Sequence, residues 1–92
     1  MGSFFRLGVL FSGEVRPARF GIITSRRAGE AVDRSRIRRR LRGILRHDRA
    51  RVMDGTDVVV VAKSTAASAD SASLRREWLR LAGRLSIFRS DS

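Results

Sequence analysis

Apolar and polar positions along the chain follow two different rhythms. Residues 4–11, FFRLGVLF, form a short apolar run that stops at Ser12-Gly13, which predicts a strand. Arg19 to Ser25, RFGIITS, predicts a second strand paired antiparallel with the first, with Pro17 in the connection where its missing N–H costs nothing. Arg26-Arg27-Ala28-Gly29 reads as a basic loop whose glycine is free to take positive φ. The period then lengthens. Ile37, Leu41, Ile44 and Leu45 recur at helical spacing and make one apolar stripe, which predicts a helix over about 33–46 with Asp33 as its N-cap. After the turn marker Asp54-Gly55, residues 57–63, DVVVVAK, place four valines between charges, which predicts a central strand buried on both faces. Ser64 to Ser73 shows no period and reads as a loop. A second helix over about 71–87 follows, carrying Leu74, Trp78, Leu81 and Leu85 on one side with Trp78 as core anchor, and the last residues, Arg89 to Ser92, are expected to fray.

Three strands (about 4–11, 19–25 and 57–63) and two helices in this order predict an α/β chain. It is a small two-layer α+β sandwich, one domain over residues 1–92, built around a strand–helix–strand (βαβ) unit whose crossover is right-handed by default. A chain of 92 residues has room for one core and buries only about 60–65% of its unfolded surface, so its stability in isolation should be marginal. No internal repeat or linker interrupts it.

Charge changes the picture. There are 20 basic residues against 9 acidic ones, a net +11, and every basic residue except Lys63 is an arginine. A surplus of that size attracts a polyanion, in a cell usually nucleic acid. The surplus is concentrated on the first helix, where RSRIRRRLRGILR, Arg34 to Arg46, contains no acid at all. Opposite its apolar stripe stand Ser35, Arg39, Arg42 and Arg46, with Arg36 and Arg38 on the flanks and Arg34 and Arg40 nearer the apolar edge. A merely solvated face normally mixes acids with bases; this one is built for anions. Gly43 is the misfit within it, costing up to about 1 kcal/mol against alanine. On the second helix Arg75, Arg76, Arg80 and Arg84 face outward, where simple solvation is at least as good an explanation.

Catalytic chemistry is missing. The nine acids are scattered, no DxD, HxH or ExxH spacing occurs, and His47 is the sole histidine, placed just past the predicted helix end where it favours the dipole. Asp54 and Asp57 read as turn residues. No GxxxxGK[ST] or GxGxxG motif cradles a nucleotide. The absence of cysteine excludes disulfides and Cys-ligated zinc, and no stretch approaches the roughly 18 apolar residues that span a bilayer. The apolar start contains Arg6 and lacks a signal-peptide cleavage pattern, so the expectation is a soluble intracellular protein.

The segment RFGIITSRRAGEAVDRSRIRRRLRGILR, Arg19 to Arg46, followed by DVVVVAK, closely resembles the protein component of bacterial ribonuclease P. Arg19, Gly21, Ser25, Arg26, Arg27, Gly29, Ala31, Val32, Arg34, Arg36, Arg38, Arg39 and Arg42 stand where that family's pattern asks for them. The resemblance covers about Phe4 to Phe88, most strongly in the middle. It implies an α/β sandwich whose βαβ crossover is left-handed, against the default. It further implies a noncatalytic, RNA-binding subunit of a cytoplasmic bacterial ribonucleoprotein, whose partners are the catalytic RNA and precursor tRNA, with no membrane and no obligate protein partner. In that family the RNA carries out magnesium-dependent hydrolysis that removes the 5′ leader, so Mg2+ is implied to be held mainly by the RNA. By position, Ser25, Arg26, Arg27, Arg34, Ser35, Arg36, Arg38, Arg39, Arg42 and Lys63 are implied as RNA contacts, and Arg46 joins them from the exposed basic face.

Three departures accompany the match. Ser35 replaces an Asn between the signature arginines, so a two-ended amide becomes one hydroxyl. Gly43 replaces a Glu. The family's N-terminal helix, with aromatics facing the leader cleft, has no counterpart before the first strand, and a strand aromatic corresponds to Gly8, which leaves Phe4, Phe5 and Phe11 as candidate substitutes. The alternative readings are an RNA-binding or RNA-chaperone module on ribosomal or other structured RNA, and a DNA-binding basic helix.

Overall fold

The computed structural model describes residues 4–89; the N-terminal Met1-Gly2-Ser3 and the end of the predicted fraying tail, Ser90–Ser92, lie outside them. Five main elements follow one another: β1 (Phe5–Phe11), β2 (Arg19–Ile23), α1 (Ala31–Asp48), β3 (Thr56–Ala62) and α2 (Ser71–Leu85), with short 3-10 turns at Arg26–Ala28, Arg49–Arg51 and Ser64–Ser68. Each of the five main elements overlaps a range that the apolar pattern predicts, with β2 stopping at Ile23 and α2 at Leu85. The turn at Ser64–Ser68 replaces the expected featureless loop and tucks Ala66 into the core.

The sheet order is β1-β3-β2, which corrects the expected β1–β2 hairpin. β1 is antiparallel to β3 and β2 is parallel to it. The connection explains why. It crosses the start of β3 and is stitched there by the Ser12 N–H donating to the Gly55 carbonyl and the Gly55 N–H donating to the Arg16 carbonyl, both at 2.8 Å. β2 therefore emerges on the far side of β3. Gly55 has φ +78°, and a Cβ there would lie 2.5 Å from the Glu14 carbonyl oxygen, so the crossing requires glycine.

β3 is central, as its valines suggest, yet only one of its faces is covered. Val58 and Val60 are fully buried against the helices, whereas Val59 is 37% exposed and Val61 half-buried. The expectation of burial on both faces fails because both helices pack on the same side of a three-stranded sheet. Their joint core gathers Phe5, Ile37, Leu41, Val58, Val60, Leu74, Trp78 and Ile87.

Ile37, Leu41, Ile44 and Leu45 are buried along α1, as the stripe requires, but the helix is longer than 33–46 and begins at Ala31. Its N-cap is Glu30, not Asp33. Asp33 sits one turn in and its carboxylate accepts from the Glu30 N–H at 3.3 Å, forming a capping box. Gly29 has φ +131°, and a Cβ there would come within 2.9 Å of the Asp33 side chain. Gly29 thus takes the positive φ expected of it.

α2 starts at Ser71, capped by Asp70, whose carboxylate accepts from the Ser73 N–H at 2.8 Å. Leu74, Trp78 and Leu81 are buried, but Leu85, the last residue of the helix, is 43% exposed. Trp78 is fully buried, edge-on to Phe20 and Phe88. Its indole N–H donates to Asp48 at 2.9 Å, and the other Asp48 oxygen accepts from Arg51 and Arg75. Glu77, also buried, accepts from the N–H groups of Phe4 and Phe5 and ties α2 to the start of β1. Arg89, expected to fray, is held by Ala50, Arg51 and Asp54. No helix among the described residues is long and apolar enough to cross a membrane.

Candidate nucleic-acid interface

With the apolar stripe of α1 pinned to the sheet, its remaining positions are graded by angle. Ser35, Arg39, Arg42 and Arg46 are exposed, while Arg34, Arg36, Arg38 and Arg40 are half-buried at the flanks, the arrangement the sequence spacing predicts. Among the described residues, none of Arg39, Arg42, Arg46 or Arg49 appears in an ion pair. Carboxylates elsewhere are occupied. Asp57 holds Arg16 and Arg19, Asp48 holds Arg51 and Arg75, Glu77 faces Arg80 and Asp54 holds Arg89. Asp57, expected as a turn residue, is instead the hub of a surface ion-pair cluster, its carboxyl held below the usual range chiefly by the hydrogen bond from Arg19.

Two of the helix residues serve geometry as well as charge. Arg38 donates to the Thr24 hydroxyl at 2.6 Å and to the Ser35 hydroxyl at 3.3 Å, which fixes its guanidinium beside the end of β2. Arg40 donates to the Ala69 carbonyl at 2.6 Å and pins α1 to the start of α2. Arg34 has its Nε buried with no hydrogen-bond partner among protein atoms. Ahead of the helix, Ser25, Arg26 and Arg27 are exposed on a 3-10 turn anchored by buried Ala28, and this turn delivers their charge next to the N-terminal half of α1.

The basic helix borders a groove of about 470 Å3. Its strand side is lined by Ala18, just ahead of edge strand β2, and by Arg19, Phe20 and Ile22 of that strand; its helix side is lined by the row Arg38, Arg42, Arg46 and Arg49 together with Leu45. Arg49 lies beyond the helix end that the sequence predicts, but α1 runs to Asp48 and Arg49 caps it in helical conformation, which keeps it in phase with the row. A shallower furrow on the other flank of α1 is lined by Val32, Ser35, Arg36 and Arg39.

The uncovered sheet face is a second surface. Strand register aligns Gly8, Val59 and Gly21 across its middle, with Arg6, Val61 and Ile23 in one neighbouring row and Leu10, Asp57 and Arg19 in the other. A Cβ at Gly8 or Gly21 would meet nothing within 4 Å, so the middle row is an open trough. Lys63 follows β3, half-buried, its N–H donating to the Phe4 carbonyl at 2.8 Å.

Two of the aromatic substitutes expected on this face, Phe5 and Phe11, lie on the helix side instead. Phe5 is fully buried beneath the helices and cannot contact a ligand. Phe11 is 56% exposed but shares the helix-side parity of Phe5, and Phe4 packs against the core. Strand alternation fixed this outcome: once Phe5 enters the core, residues 7, 9 and 11 follow it, and the open face receives Arg6, Gly8 and Leu10.

Comparison with known proteins agrees with the architecture. A family model described as Ribonuclease P matches residues 2–86. The "Ribonuclease P protein component" of Beutenbergia cavernae is 44% identical over 61 residues, covering 66% of this chain and 51% of that protein. That of Desulforapulum autotrophicum is 32% identical over 85 residues, covering 92% of this chain and 71% of that protein. The solved structure of the RNase P protein from Thermotoga maritima superposes with a TM-score of 0.79 at 25% identity, over 91% of this chain and 79% of the other. The chain spans about half the length of the first of these curated relatives.

Proposed function

The chain belongs to the ribonuclease P protein family, and on that premise we propose that it serves as the RNA-binding subunit of a bacterial cytoplasmic ribonuclease P. It assists a catalytic RNA in removing the 5′ leader of precursor tRNA. The observation that carries this reading is the row of arginines on α1, held outward by a buried stripe and matched by no carboxylate among the described residues. Guanidinium groups left without acids on a rigid helix form a preorganised surface for phosphates.

In the proposed division of labour, α1 and the Arg26–Ala28 turn dock on the folded catalytic RNA. Ser25, Arg26, Arg27, Ser35, Arg36, Arg39, Arg42 and Arg46 supply the contacts, while Arg38 is held in place by Thr24 and Ser35. The leader lies along the open sheet face, where Gly8 and Gly21 let a strand approach the backbone closely and Arg6 and Lys63 stand near one end. In this reading the reaction's magnesium ions are held mainly by the RNA. The chain's role is to offset phosphate repulsion so that the RNA keeps its active shape at lower magnesium.

Competition binding tests the docking step. At equal salt, a cognate catalytic RNA should displace the chain from duplex DNA. The wide, shallow minor groove of A-form RNA and its unpaired loops present 2′-hydroxyls and bases that duplex DNA lacks. Preference for duplex DNA would overturn the proposal.

A further inference from the structure

We propose that the groove between α1 and β2 is a pocket for a single unpaired nucleotide of the bound RNA. This inference rests on the RNA-binding reading above and adds to it a place where a base, not only phosphate, is recognised.

The groove combines two kinds of surface that a purely electrostatic site does not need together. Its rim is the row Arg38, Arg42, Arg46 and Arg49, spaced by about one helical turn each along one side. Its apolar lining is formed by Phe20 and Ile22, both half-buried, and by buried Leu45. The volume of about 470 Å3 falls in the roughly 300–1,000 Å3 range of pockets that hold small ligands. A continuous duplex would satisfy the rim and leave the apolar lining facing water, because its bases are stacked inside. An unstacked base instead sits on an apolar or aromatic floor, or against a guanidinium plane, while its phosphates meet the arginines. The strand wall adds hydrogen-bonding capacity. β2 is an edge strand, so one row of its backbone N–H and C=O groups has no sheet partner and can pair with the edge of a base.

The geometry also separates this pocket from the leader face. Phe20 and Ile22 point to the helix side of β2, whereas Arg19, Gly21 and Ile23 point to the open side. Arg38 is already oriented by Thr24 and Ser35, and Arg19, at the mouth, is held by Asp57. Only the outer arginines need to close on a ligand.

The test uses the full chain and three RNA hairpins of equal length: one with a single bulged adenosine, one with an abasic residue at the bulge, and one fully paired. Affinity is measured at several salt concentrations, and the Ile22 methyl resonances are followed by NMR. The adenosine bulge should bind at least about fivefold tighter than the abasic one and move the Ile22 δ1-methyl upfield by ring current, with no such shift from the other two. Equal, salt-dependent affinity for all three would overturn the pocket and leave the RNA-binding reading standing. A preference for the bulged adenosine without the Ile22 shift would also overturn it, since the base would be bound elsewhere. Absence of salt-dependent binding to any hairpin would overturn both readings.

Discussion

Replacing Arg42 and Arg46 together by alanine isolates the electrostatic part of the interface. Both side chains are exposed on α1, and neither forms an ion pair among the described residues, so the fold loses no internal contact that the structure shows. Alanine also has the higher helix propensity, so stability should change by no more than about 0.5 kcal/mol. If each arginine neutralises one phosphate, the slope of log affinity against log salt should flatten by about 0.7–0.9 per residue, or about 1.4–1.8 for the pair. Over a fourfold rise in salt, the double variant should therefore lose about 7- to 12-fold less affinity than the parent chain. The assay is equilibrium binding to the catalytic RNA at four or more salt concentrations, with thermal melting alongside. A lowered melting temperature with an unchanged slope would refute the reasoning, because it would make these arginines structural.

Three further outcomes follow from the core and its polar contacts. Leu41→Ala should cost about 2–5 kcal/mol in urea unfolding while leaving the salt slope of RNA binding unchanged, since Leu41 is 1% exposed and far in angle from Arg39 and Arg42; the reverse pattern would mean the helix faces are assigned backwards. Trp78→Phe leaves one oxygen of buried Asp48 without its indole donor and should cost about 1.5–3 kcal/mol beyond any packing loss, an effect that should shrink in an Asp48→Asn background. Asp57 and Asp70 both ionise below the usual carboxylate range, through the side-chain bond from Arg19 and the backbone bond from Ser73 respectively. Their contribution is therefore present above the ordinary carboxylate pKa and lost as pH falls through the depressed values, so urea midpoints measured from about pH 6 to about pH 3 should fall less steeply for an Asp57→Asn, Asp70→Asn variant than for the parent.

Much of this molecule is legible in its sequence because single elements carry strong periods. The α1 stripe and its arginines are fixed by spacing alone, and the grading of Arg36 and Arg38 against Arg39 and Arg42 follows from the same angle. Trp78 is recognisable as core for the same reason. Sheet order is not legible in this way. The 12–18 connection looks like a hairpin until its stitching to Gly55, about forty residues away, carries β2 past β3. The buried acids are equally hidden. Asp48 and Glu77 sit among basic and apolar neighbours in sequence, and only the packing of α2 against α1 and β1 supplies the indole and the amides that make their burial tolerable. Phe5 and Phe11 miss the open face on parity: the run FFRLGVLF does not say which of its two faces meets the helices, and Phe5 settles it by entering the core.

Reconstitution with a cognate catalytic RNA on precursor tRNA, titrated with magnesium, bears most directly on the claim that this chain presents arginines to a ribozyme. The chain should shift the magnesium midpoint for leader removal downward, and the Arg42→Ala, Arg46→Ala variant should recover only part of that shift. A magnesium midpoint identical with and without the chain, under conditions where the chain is shown to be folded, would contradict it.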